Sequence, residues 1–109
     1  MSHGLTLTRR DNDRRIVLAV AGEVDLATTP QLRSAIQAVF DSGVRELRLD
    51  LSGTTFMDSS GLHALFDSHA RAEQLDARME IVCPPGPVRR LFEIVGYSER
   101  LPLRDAPDE

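Results

Sequence analysis

The chain has 109 residues, 41% of them hydrophobic, enough to bury one core and too few for two. Its formal charge is −4, and its 13 basic residues, all arginine, are scattered singly or in pairs beside acids (Arg9-Arg10, Arg14-Arg15, Arg89-Arg90). That pattern reads as solvated surface and argues against nucleic acid, whose binders gather positive charge on one face.

The longest apolar run, residues 16–21, is far short of the roughly 18 residues a membrane span needs. Met1-Ser2-His3-Gly4 lacks the basic and then apolar plan of a secretory signal. A cytoplasmic protein without direct membrane insertion is expected. The single cysteine, Cys83, excludes an internal disulfide, and behind Ile81 and Val82 it reads as a buried strand end.

In chain order, residues 5–9 alternate apolar and polar, as a half-exposed edge strand does. Asp11-Asn12-Asp13 supplies a turn, and the continuous apolar run at 16–21 predicts a strand buried on both faces. The chain is therefore expected to open with a β-hairpin. Thr29 as cap and Pro30 at the first position predict a helix with Leu32, Ile36, Val39 and Phe40 on one stripe and Gly43 as its stop. Leu47, Leu49 and Leu51 alternate with Arg48 and Asp50, which predicts a strand ending near Ser52 and then a short polar loop.

A second helix is expected over 59–75, with Leu62, Leu65 and Phe66 on one face, and a strand over 79–83. Pro87 opens a third helix, capped by Gly86 and closed by Gly96, with Val88, Leu91, Phe92 and Val95 at helical spacing. A short last strand at 101–103 precedes a tail, 104–109, expected to be disordered. Strands alternating with helices imply a single α/β domain: a mostly parallel sheet of four or five strands, about three helices and an N-terminal hairpin.

The chemistry concentrates in Phe56-Met57-Asp58-Ser59-Ser60-Gly61-Leu62, where the chain enters a helix at two adjacent serines. A serine there lies among backbone N–H groups at the positive end of the helix dipole, a setting that tolerates a phosphate. Gly61 is expected to keep the site open. On the residues alone, Asp58 or Ser59 serves equally well as a plain N-cap.

The same block resembles the signature of the STAS family, in particular its anti-sigma factor antagonists. Gly22-Glu23-Val24-Asp25-Leu26-Ala27-Thr28 resembles the family's loop beside the phosphorylation site, and Val88-Arg89-Arg90-Leu91-Phe92 with Gly96 resembles its final helix. The three blocks occur in family order over nearly the whole chain.

The resemblance implies partner switching. The unmodified protein binds an anti-sigma factor that is also a serine kinase; the kinase phosphorylates Ser59, the complex dissociates, and a serine phosphatase restores the binding form. Ser60 is the secondary candidate, and Glu23, Asp25, Asp58 and Gly61 match positions flanking the site or touching the partner. His63 stands where many relatives carry a small residue, and it bears on partner choice. The resemblance also admits a non-phosphorylated structural or regulatory subunit of a membrane transport complex.

An enzyme is not expected. Ser59, His63 and Asp67 recur at i, i+4 and i+8, but that spacing strings a would-be triad along about 12 Å of helix instead of converging it. His3, His63 and His69 lack ligand spacing, and Asp25 with Asp58 would hold Mg²⁺ poorly without further ligands. With no Gly-x-x-x-x-Gly-Lys loop either, no cofactor is expected. The exposed edge strand at 5–9 leaves a monomer or a weak dimer open.

Overall fold

Strand β1 (Leu5–Asn12) pairs antiparallel with β2 (Arg15–Val24), so the expected hairpin is present. A computed structural model describes residues 4–13, 15–96 and 100–105. Helix α1 (Thr29–Asp41) follows, then β3 (Glu46–Met57), α2 (Ser59–Gln74), β4 (Arg78–Val82), α3 (Pro87–Ile94) and β5 (Leu103–Arg104). The five strands form one sheet in sequence order; β2, β3, β4 and β5 run parallel and β1 antiparallel at the edge. The single α/β domain with a mostly parallel sheet and three helices matches the sequence expectation.

Pleating sends alternate side chains to opposite faces. Ile16, Leu18 and Val20 of β2, Leu47, Leu49 and Leu51 of β3, and Met79 and Ile81 of β4 belong to one buried cluster. Leu32 and Ile36 of α1, Leu62 and Leu65 of α2, and Val88 and Phe92 of α3 join the same cluster. The stripes read from spacing are the ones that pack, except that Val95, read with the α3 stripe, is the helix's C-cap and is exposed. Gly43 and Gly96, at φ +88° and +80°, end their helices in the left-handed region that glycine enters without strain.

Four boundaries or roles differ from expectation. Helix α1 is capped at Thr28, one residue earlier than expected, and Thr28 makes no side-chain cap bond; its hydroxyl goes to the Glu23 carbonyl instead (2.8 Å). Strand β3 does not stop near Ser52 but runs to Met57, because Gly53, Thr54, Phe56 and Met57 pair with Ala21, Gly22, Glu23 and Val24 across two register shifts. Its polar residues serve the ladder: the Thr54 hydroxyl donates to the Val20 carbonyl at 2.9 Å and Thr55 to that of Gly22 at 3.2 Å.

Arg48 is not solvated surface. It is buried on the second face of the sheet, where the β3–β4 register sets it beside Glu80, with Nη2 2.7 Å from Oε1. Arg104 reaches the other oxygen of Glu80 at 2.8 Å. The expected disorder from residue 104 is not seen at Arg104, which lies in β5, nor at Asp105, which pairs with Arg89 at 2.8 Å; residues 106–109 lie outside the described residues.

Cys83 is buried, as expected, and burial pushes its thiol up to about 11, against the pull of nearby Arg89. It therefore stays protonated at neutral pH and is a poor nucleophile. No helix among the described residues is long and apolar enough to cross a membrane.

Candidate functional site at the start of α2

Strands β2 and β3 deliver two chain segments to the same end of the sheet: the β2–α1 loop at 25–28 and the start of α2. Backbone ties them, since the Asp58 N–H donates to the Val24 carbonyl at 3.1 Å. The helix can begin this close to the strands only because residue 61 is glycine. A Cβ there would lie 2.7 Å from both Met57 Cγ and Val24 Cγ1. Gly61 is thus buried and permits close packing; the expectation that it keeps the site open is corrected by those two contacts.

Asp58 is the N-cap of α2. Its Oδ1 accepts from the backbone N–H groups of Ser60 (2.9 Å) and Gly61 (3.3 Å) and from the Ser60 hydroxyl (2.5 Å). Burial alone would raise the Asp58 carboxyl; these bonds and one from the Leu26 N–H outweigh it and hold the group below the ordinary carboxylate range. The choice left open between Asp58 and Ser59 as cap falls to Asp58.

The two serines differ sharply. With its proton on Asp58, the Ser60 oxygen accepts from the buried Thr29 hydroxyl across a 3.1 Å gap, so Ser60 is fixed between α1 and α2. Ser59 is exposed, and its hydroxyl makes no hydrogen bond among the described residues. One serine is structural and the other is presented to solvent.

The flanking acids have separate environments. Asp25 Oδ1 accepts from the N–H groups of Ala27 and Thr28, both at 3.0 Å, and so shapes its own loop. Glu23 lies half-buried on β2, paired in register with Phe56 of β3. No group of metal-binding side chains is present among the described residues, Asp25 and Asp58 included. The Ser59-His63-Asp67 spacing makes no relay: His63 is exposed, and Asp67 turns to Arg33 at 3.2 Å.

Sequence reading passed over the apolar rim. Leu26 is 78% exposed and Phe56 48% exposed, one in the loop and one at the end of β3. Between α1 and α2 lies an open cleft of about 250 Å³, lined by Leu26, Thr29, Pro30, Arg33, Ser60 and His63. A leucine inside the turn-rich run Asp25-Leu26-Ala27-Thr28 was the available signal, because a loop gives an apolar side chain nothing to pack against.

A model of the STAS domain matches residues 6–109. The chain belongs to the STAS domain family. It is 28% identical over 109 residues to the anti-sigma-B factor antagonist of Listeria monocytogenes, an alignment covering all of this chain and 95% of that one. Among solved structures, an anti-sigma factor antagonist from Mycobacterium paratuberculosis superposes with a TM-score of 0.89 at 30% identity, over 96% of this chain and 89% of the other. The unphosphorylated anti-sigma factor antagonist SpoIIAA shares the fold, with a TM-score of 0.79 at 24% identity over 94% and 90% of the two chains. The resemblance carried by the three motif blocks thus holds over essentially the whole chain, and toward the anti-sigma factor antagonists in particular.

Proposed function

We propose that this protein is an anti-sigma factor antagonist controlled by phosphorylation of Ser59. Unmodified, it binds an anti-sigma factor that is also a serine kinase and so frees a sigma factor for transcription. The kinase then transfers the γ-phosphoryl group of ATP to the Ser59 oxygen, the complex separates, and a serine phosphatase restores the binding form. The protein is the acceptor in another protein's reaction and catalyses nothing itself; its place is the cytoplasm.

The observation that carries this reading is the contrast within the serine pair. Ser60 is spent on Asp58 and Thr29, whereas Ser59 offers a free hydroxyl on the exposed surface. Exposed Leu26 and Phe56 supply apolar anchors for a partner seated over the same end of the sheet. A surface fitted to a neutral hydroxyl cannot cheaply enclose a dianion, least of all one next to the Asp58 carboxylate.

Incubation with ATP and each histidine-kinase-like ATPase of the source genome, followed by mass spectrometry of the peptide, tests the proposal. Phosphate on Ser59 supports it. Phosphate on Ser60 alone overturns the assignment, and phosphate on neither serine leaves the chain as a non-phosphorylated STAS subunit of a transport complex.

A further inference from the structure

Two side-chain hydrogen bonds join the β2–α1 segment to the start of α2, and both end on residues that flank Ser59. In one, the Leu26 N–H donates to the Asp58 carboxylate. In the other, the Thr29 hydroxyl meets Ser60 across 3.1 Å, and Ser60 passes its own proton to Asp58. Thr29 is tied back to the loop, because its N–H donates to the Asp25 carbonyl at 2.8 Å. Through the Asp25–Leu26 peptide bond, Leu26, Asp58, Ser60, Thr29 and Asp25 therefore form a closed ring.

One bond between two segments is a pivot, whereas two at separate points fix distance and angle together. Leu26 carries an exposed apolar side chain, and Ser59 is peptide-bonded to both Asp58 and Ser60. The ring thus sets where the Ser59 hydroxyl stands relative to Leu26. Thr29 is the member with no other task. It caps neither helix, since α1 is capped at Thr28 and α2 at Asp58. Only 4% exposed, it holds a hydroxyl where burial favours an apolar side chain unless the hydroxyl is bonded.

We infer that Thr29 is a positioning residue: acting through Ser60, it fixes the spacing between Leu26, where the kinase is anchored, and Ser59, where the phosphoryl group arrives. The inference rests on Ser59 being the residue modified and on Leu26 meeting the partner. Phosphoryl transfer needs the acceptor oxygen in line with the bond to the departing ADP, and small misplacements are costly there. Valine at position 29 would set a methyl group against Ser60 Oγ. A carbon keeps roughly 3.3–3.6 Å from an oxygen even in a favourable contact, so the two helix starts are pushed apart.

Wild type, Thr29→Val and Thr29→Ser are compared as substrates of the ATPase that phosphorylates the wild type, with thermal melts taken alongside. For Thr29→Val kcat should fall about tenfold while KM stays within about twofold, and Thr29→Ser should restore kcat. Unchanged kinetics, or a raised KM at constant kcat, overturns the positioning role. If the valine variant does not fold, Thr29→Ala, which removes the hydroxyl without added bulk, is judged by the same two outcomes. Amide proton–nitrogen spectra supply a readout free of the kinase: the Leu26, Ser59 and Ser60 signals should move in Thr29→Val and return in Thr29→Ser. Unmoved signals overturn the ring as a positioning device. A wild type that takes up no phosphate overturns the reading of Ser59 instead, and the spectra still decide whether Thr29 holds the two segments in place.

Discussion

The Ser60 hydroxyl donates to the Asp58 carboxylate at 2.5 Å, and this one bond separates two serines that are chemically identical in the chain. It removes Ser60 from solvent-facing chemistry and makes the start of α2 depend on Asp58. Phosphorylation should follow accordingly. Ser60→Ala should still take up one phosphate under the conditions that modify the wild type, while Ser59→Ala should take up none, as read by intact mass. Ser59→Ala should keep its affinity for the anti-sigma factor, and Ser59→Asp should weaken it at least tenfold by titration calorimetry. Equal affinities for the wild type and Ser59→Asp would remove the electrostatic basis of the switch.

Loss of the cap should cost stability. Asp58→Ala leaves the Ser60 and Gly61 N–H groups without their acceptor, a change worth about 1 kcal/mol at a helix start, measured as a lower urea midpoint.

Acid should act through the same residue and through Glu80. Burial would raise the Glu80 carboxyl, but hydrogen bonds and charge from Arg104 and Arg48 outweigh it and hold it low. Both carboxyls are thus lower folded than unfolded. Their contribution is full above the unfolded values, about 3.9 and 4.3, and is lost as pH falls through the folded ones. Urea midpoints taken from pH 7 down to pH 3 should fall below about pH 4, and more gently in Asp58→Asn and Glu80→Gln. Parallel acid limbs in wild type and variants would assign the loss to other groups.

Arg48 should prove costly to remove alone and cheap to remove with its partner. Arg48→Ala strips Glu80 of its buried partner and should cost about 3 kcal/mol, the lower end for a buried pair because Arg104 remains. Arg48→Met combined with Glu80→Leu should recover most of that loss, the pair of measurements forming a double-mutant cycle.

Leu26 and Phe56 should show the reverse profile. Their exposure predicts that Leu26→Ala shifts stability by no more than about 0.5 kcal/mol, as surface changes do. Binding to the anti-sigma factor should weaken by more than 1 kcal/mol, as truncation of an apolar anchor does at an interface. A thermal melt beside a binding titration separates the two effects.

The apolar spacing made the strands and helices legible, because the core is built from periodic stripes that alternate in type along the chain. The segment from Ser52 to Thr55 was not legible as a strand. Its residues are small and polar, and only pairing with Ala21–Val24 across two register shifts makes them one. The burial of Arg48 was not legible for a related reason: its acid partner is on the neighbouring strand, 32 positions away, and only the register brings them together. At the site, the paired serines were visible but their difference was not, since it depends on Thr29 and Asp58 converging on one hydroxyl. The role of Gly61 was hidden too, because a glycine that makes room and one that permits contact look alike in a sequence.

That glycine has a mechanical consequence. A side chain at position 61 would collide with Val24 and Met57, so the first turn of α2 lies bedded directly on the sheet. A partner that docks on this end meets a first turn fixed to the sheet, and the proposed phosphate on Ser59 would change chiefly the charge it reads there.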